Sequence, residues 1–192
     1  MKHVRVGPGA VLLVAAGFIV PLTANASFHF WKFDEVFSNA AGTQQYIEMS
    51  DSVNGEQFLF SDGGVQIMSN SHTYTVPHDL PFPGAVGHDT ANQHLLFATT
   101  GFFPGGLTPD FTLPAGFFST GADVLHYTSN GDFTYDTMTY SSLPTDGVNS
   151  RYQTAGTTSQ ITGPATPSSF LPEPGSLMLL VVAAGLLGAR RR

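Results

Sequence analysis

Two isolated glutamates, Glu35 and Glu48, and six histidines between the ends of the chain, His29, His72, His78, His88, His94 and His126, are the side chains best suited to chemistry. A pair of carboxylates facing a groove is what glycoside hydrolysis requires. Here each glutamate stands alone in a short strand-like stretch, and outward-facing positions or backbone caps account for both. The pairs His72 with His78 and His88-Asp89 with His94 could ligate zinc if loops brought them together, because imidazole is a common ligand. Their six-residue spacing matches no ligand pattern, and exposed loop histidines are the simpler reading. Asp51-Ser52-Val53-Asn54-Gly55-Glu56 and Asn130-Gly131-Asp132 have the oxygen-rich, glycine-containing look of calcium turns. Gly55 stands fifth rather than sixth and no glutamate follows at the twelfth position, so the EF-hand pattern fails and turn chemistry suffices. No Gly-x-Ser-x-Gly elbow, His-Glu-x-x-His, phosphate-cradling glycine loop or dinucleotide fingerprint occurs. The chain has no cysteine, which removes disulfide scaffolds, thiol nucleophiles and Cys-ligated metals. The expectation is no catalytic residue, no metal site and no cofactor.

The elements that would hold these side chains are strands. The sequence has 192 residues, 21 Gly and 13 Pro, and only 11% charged residues, a composition of strands and turns rather than long helices. Short apolar and aromatic runs separated by Gly, Asn, Asp and Pro predict one β-rich domain over residues 27–153, a sandwich or small barrel. Phe28, Phe30 and then Phe33 with Val36-Phe37 suggest a first strand with a break near Lys32, and Tyr46 to Met49 suggests a second. Phe58 to Phe60, Val65 to Met68, Thr73 to Val76, Leu95 to Thr99 and Val124 to Tyr127 continue the series. Asn130-Gly131 before Phe133-Thr134-Tyr135 predicts a type I′ hairpin, since both residues tolerate positive φ. No stretch of the body sustains helical periodicity. His78 to Gly87 and Gly101 to Gly116 are expected as loops. Their phenylalanines, including Phe102, Phe103, Phe111, Phe117 and Phe118, either pack a core or form an aromatic platform for a sugar ring. Residues 154–170, rich in Thr, Ser, Gly and Pro, are expected as a flexible spacer.

Charge is unevenly distributed. The chain carries a net −7, yet five of its seven basic residues sit at the ends. From Ser27 to Leu171 there are two basic and thirteen acidic residues, a net −11. Such a surface repels phosphate backbones and excludes nucleic acid as a partner, while favouring divalent cations or basic partners.

The ends themselves carry addresses. Lys2, His3 and Arg5 form a positive region, Ala10 to Val20 an apolar stretch too short to span a bilayer, and Ala24-Asn25-Ala26 the small-x-small pattern that signal peptidase accepts. Residues 1–26 are therefore expected as a helical signal peptide cleaved after Ala26. At the other end, residues 171–192 read LPEPGSLMLLVVAAGLLGARRR. Pro172-Glu173-Pro174 keeps the backbone extended, as a protease needs. The apolar run Leu177 to Ala189 is marginal as a permanent span, and Arg190, Arg191 and Arg192 resist translocation. This order resembles the PEP-CTERM sorting signal of Gram-negative bacteria that make exopolysaccharide. The resemblance implies an exosortase-type membrane protease as partner, transient residence in the cytoplasmic membrane through a C-terminal hydrophobic helix, and delivery of the body to the cell surface or outside the cell. A plain C-terminal anchor is the alternative. The LPxTG sorting pattern fits less well, because Pro174 replaces the threonine whose carbonyl forms the acyl-enzyme.

Phe33-Asp34-Glu35-Val36-Phe37-Ser38-Asn39, followed by Tyr46-Ile47-Glu48-Met49, resembles the opening of lamin-tail-like domains. That resemblance implies an immunoglobulin-like β-sandwich, which the signal peptide and the sorting tail read above would flank with two terminal helices. It also implies an adhesion or substrate-tethering unit; taken with the sorting signal, the expected role is adhesion or organising biofilm and exopolysaccharide, with surface polysaccharide as a candidate partner. A calcium- or carbohydrate-binding module and a secreted hydrolase are the alternatives.

Overall fold

The computed structural model describes residues 30–61, 63–80, 90–100, 102, 107–130, 133–154 and 158–169. The expected signal peptide with Ala24 and Ala26, and the expected sorting tail with Pro172, Glu173, Pro174 and the three arginines, lie outside the described residues. Among the described residues there is no helix. Ten strands follow one another: β1 (Lys32–Ser38), β2 (Gln45–Ser50), β3 (Val65–Met68), β4 (Thr73–Thr75), β5 (His94–Thr99), β6 (Phe111–Leu113), β7 (Asp123–Ser129), β8 (Phe133–Tyr140), β9 (Asn149–Gln153) and β10 (Gln160–Pro164).

They form a six-stranded sheet of order β10-β9-β1-β2-β5-β6 and a four-stranded sheet of order β4-β3-β7-β8. All neighbours are antiparallel except β5 and β6. Period-two alternation assigns the faces. In β2 and β5, Ile47, Met49, Leu95 and Phe97 join Val65, Ile67, Leu125, Tyr127 and Met138 of the smaller sheet in one buried cluster. That shared core makes the two sheets layers of one body. The intervening residues Tyr46, Leu96 and Ala98 enter a second cluster with Phe37 and Phe102 on the opposite face. There Phe37 stacks on Tyr46 with ring centroids 5.2 Å apart, and Tyr46 lies 4.6 Å from Phe102. The larger sheet is therefore covered on both faces, which is why β2 and β5 are buried along almost their whole length.

Several expectations need correction. Phe58 to Phe60 is not a strand. The Phe60 and Ser61 amides donate to Asp79 Oδ1 at 2.7 and 2.9 Å, so a side chain replaces the ladder there. The β7–β8 hairpin closes on Ser129 with Phe133, so three residues bridge it instead of the two of a type I′ turn, with Asn130 at φ 46°. Phe111–Leu113, expected within a loop, is β6. The sheet does not stop at residue 153 either. Within the segment expected as a flexible spacer, Gln160–Pro164 pairs with β9 from Gln160 with Gln153 to Pro164 with Asn149. Pro164 is tolerated because β10 is an edge strand.

Candidate functional site

The chemistry gathers on the outer face of the larger sheet, away from the shared core. The pairing of β1 with β2 runs from Phe33 with Met49 directly to Glu35 with Glu48, a register shift that leaves Asp34 as an extra residue. Phe33 and Val36 both face the core, so the bulge turns the two residues between them, Asp34 and Glu35, outward beside Glu48. On the next strand His94 pairs with Ser50, two residues along β2 from Glu48. Three neighbouring strands thus bring three carboxylates and one imidazole together.

Glu35 and Glu48 point away from the core yet are only 1% and 3% exposed, not the solvent-facing positions expected. Their cover is the chain that follows β10. Ala165 packs on the outer aromatic cluster, the Thr166 amide donates to Glu35 Oε1 at 3.1 Å, and the Ser168 amide donates to Glu48 Oε2 at 2.7 Å. Residues 165–169 are a strap held by two buried carboxylates, so the expected role as acceptors for backbone groups is met in a tertiary setting. Glu35 Oε1 also accepts from Ser150 Oγ at 2.5 Å and from the Tyr46 hydroxyl. Burial, and then the hydrogen bond to Glu35, hold the Tyr46 hydroxyl far above tyrosine's ordinary value.

Glu48 Oε1 lies 2.5 Å from His94 Nδ1, and Asp34 Oδ2 lies 4.0 Å from the same nitrogen. Burial pushes the Glu48 carboxyl up, opposed by the His94 hydrogen bond and the Ser168 amide. Asp34 is also raised by burial, with His94 opposing and Glu35 adding to the shift. The hydrogen bond to Glu48 raises the His94 imidazole. Asp34, Glu48 and His94 each place one ligand-capable atom within 4.8 Å of the others, the single such group of three among the described residues. The side chains of His94 and Asp34 are 38% and 33% exposed, and that of Glu48 4%. The first two open onto a groove of about 280 Å³ shared with Phe30, Lys32, Ser50, Asp51, Ser52 and Asn92.

The other candidates do not assemble. His72 Nδ1 sits 2.9 Å from the Phe117 carbonyl, and His78 Nδ1 sits 2.8 Å from that of Asp79. His126 meets the Thr137 hydroxyl. His29, His88 and Asp89 lie outside the described residues, as do Gly131, Asp132 and Phe103. In the turn after β2, Asp51 accepts from the Val53 amide and the Thr90 hydroxyl, and Asn54 accepts from the Ala91 amide. Those oxygens fasten one loop to another, which is turn chemistry. Phe102, Phe111, Phe117 and Phe118 are all buried, so these four pack the body and form no exposed platform. The triad escaped the sequence reading because Asp34 and His94 are sixty residues apart and a bulge aims Asp34. The one local signal was the acidic Asp34-Glu35 pair interrupting an otherwise apolar strand.

No family model, curated protein or solved structure matches the chain.

Proposed function

We propose that the chain is an exported surface or matrix protein whose body, an immunoglobulin-like sandwich, is a non-catalytic module for adhesion or for organising biofilm and exopolysaccharide. Signal peptidase removes residues 1–26, an exosortase-type protease acts at Pro172-Glu173-Pro174, and the body reaches the cell surface or the medium of a Gram-negative bacterium. The observation that carries this reading is the ordered tail of Pro-Glu-Pro, apolar run and three arginines opposite a signal-like start. Two sheets around one core support the sandwich assignment. Hydrolysis is disfavoured because Glu35 and Glu48 are buried and engaged by strap amides.

Mass spectrometry of the protein exported by its own host tests the route. Loss of both ends, near Ala26 and near Pro172, is expected; an intact C-terminus refutes the sorting reading. A second reading, a calcium- or carbohydrate-binding module on the same route, is favoured by the groove beside His94, which Asp34 and Asp51 help line, and by the body's net −11. Calorimetric titration with Ca²⁺ and with surface polysaccharide separates the two.

A further inference from the structure

The outer face of the larger sheet holds more anionic groups than the protein itself balances. Asp34, Glu35 and Glu48 meet there with one imidazole, and Lys32, whose side chain reaches the same groove, gives its ammonium to the Tyr135 carbonyl at 2.7 Å. Glu35 is satisfied by its three donors, whereas the ligand atoms of Asp34, Glu48 and His94 face one another. The set is mixed, one nitrogen and two carboxylates, a donor combination that suits zinc better than calcium, which prefers oxygen alone. Glu48 is also held from behind, its second oxygen fixed by the Ser168 amide at 2.7 Å, as ligating carboxylates commonly are. Zinc bonds of about 2.0–2.2 Å put tetrahedral ligand atoms about 3.4 Å apart. The 4.8 Å limit on this group is within reach of small rotations of the partly exposed Asp34 and His94, with the close His94–Glu48 contact opening as an ion enters.

We propose that Asp34, Glu48 and His94 form a site for one divalent transition-metal cation, zinc in the first instance, with the groove side of the ion open to solvent oxygen. The site goes beyond the export reading and does not depend on it.

The test uses the full, unprocessed chain in mild detergent, stripped with chelator, so that failed processing and failed binding are told apart. Calorimetric titration with Zn²⁺ is expected to give one ion per chain. Asp34→Asn and His94→Gln, near-isosteric changes at partly exposed positions, are expected to lower the affinity about tenfold or more, while His72→Gln leaves it within twofold. Co²⁺ loaded into the parent chain is expected to show visible absorption bands that His94→Gln alters, a readout of direct ligation. Absence of a retained ion, unchanged affinity in both groove variants, or Ca²⁺ binding in place of Zn²⁺ that survives His94→Gln each overturns the proposal.

Discussion

Tyr46, Ser150 and Thr166, from β2, β9 and the strap, all donate to one oxygen of Glu35. Removing that oxygen strands two buried donors and a partly buried amide at once, and each unsatisfied buried group costs about 1–3 kcal/mol. Glu35→Ala is therefore expected to destabilise by about 3 kcal/mol or more, and Tyr46→Phe, which removes one donor, by about 1–3 kcal/mol. Urea denaturation monitored by the fluorescence of Trp31 measures both. Asp79 acts at the surface in a simpler way. Burial pushes its carboxyl up, but the Ser61 hydroxyl and the Ser61 and Phe60 amides outweigh this and hold it below the usual carboxylate value. Its contribution to stability is thus complete above the unfolded value of about 3.9 and is lost as pH falls through the lower folded value. The denaturation midpoint of Asp79→Asn should depend less on pH between about 5 and 2 than that of the parent chain. An unchanged acid limb would contradict this.

At the scale of elements, what the strap gives the two glutamates is backbone amides. Ser168→Ala keeps the amide that Glu48 accepts and is expected to stay within about 0.5 kcal/mol of the parent. Ser168→Pro removes it and is expected to cost about 1–3 kcal/mol by the same denaturation assay. The contrast between strap and strands also explains what could be read in the sequence. β2, β5 and β7 were legible because Tyr46-Ile47-Glu48-Met49, Leu95 to Thr99 and Val124 to Tyr127 are apolar runs bounded by turn residues. β9 and β10 were not, because Asn-Ser-Arg-Tyr-Gln and Gln-Ile-Thr-Gly-Pro carry almost no hydrophobic pattern. β9 instead buries Ser150, whose partner Glu35 is 115 residues away. The candidate site was half visible. Glu35, Glu48 and His94 stood out as residue types, but their convergence depends on a bulge at Asp34 and on β2 pairing with β5, and neither has a local sequence signature.

At the scale of the whole molecule, the described residues run on through the strap to Ser169, shortly before the Leu171-Pro172-Glu173-Pro174 stretch proposed as the processing site. On the proposed role of residues 171–192 as a removable sorting signal, a chain ended after Ser169 is expected to keep the parent's denaturation midpoint. One ended after Pro164 loses both amide donors and the Ala165 contact, an expected cost of about 2–6 kcal/mol that urea titration would register. The bulge and the strap together make the acidic groups of the outer face a property of the assembled sheet, not of any one segment. Because the two glutamates grip peptide groups, with the Ala165 contact and the Thr166 hydroxyl beside Tyr152 as the side-chain additions, the strap is held mainly through its backbone. A letter such as Ser168 can drift, proline excepted, but inserting or deleting a single residue between 164 and 168 would move the wrong amides under the carboxylates, so this stretch should tolerate some spelling changes and resist changes of length.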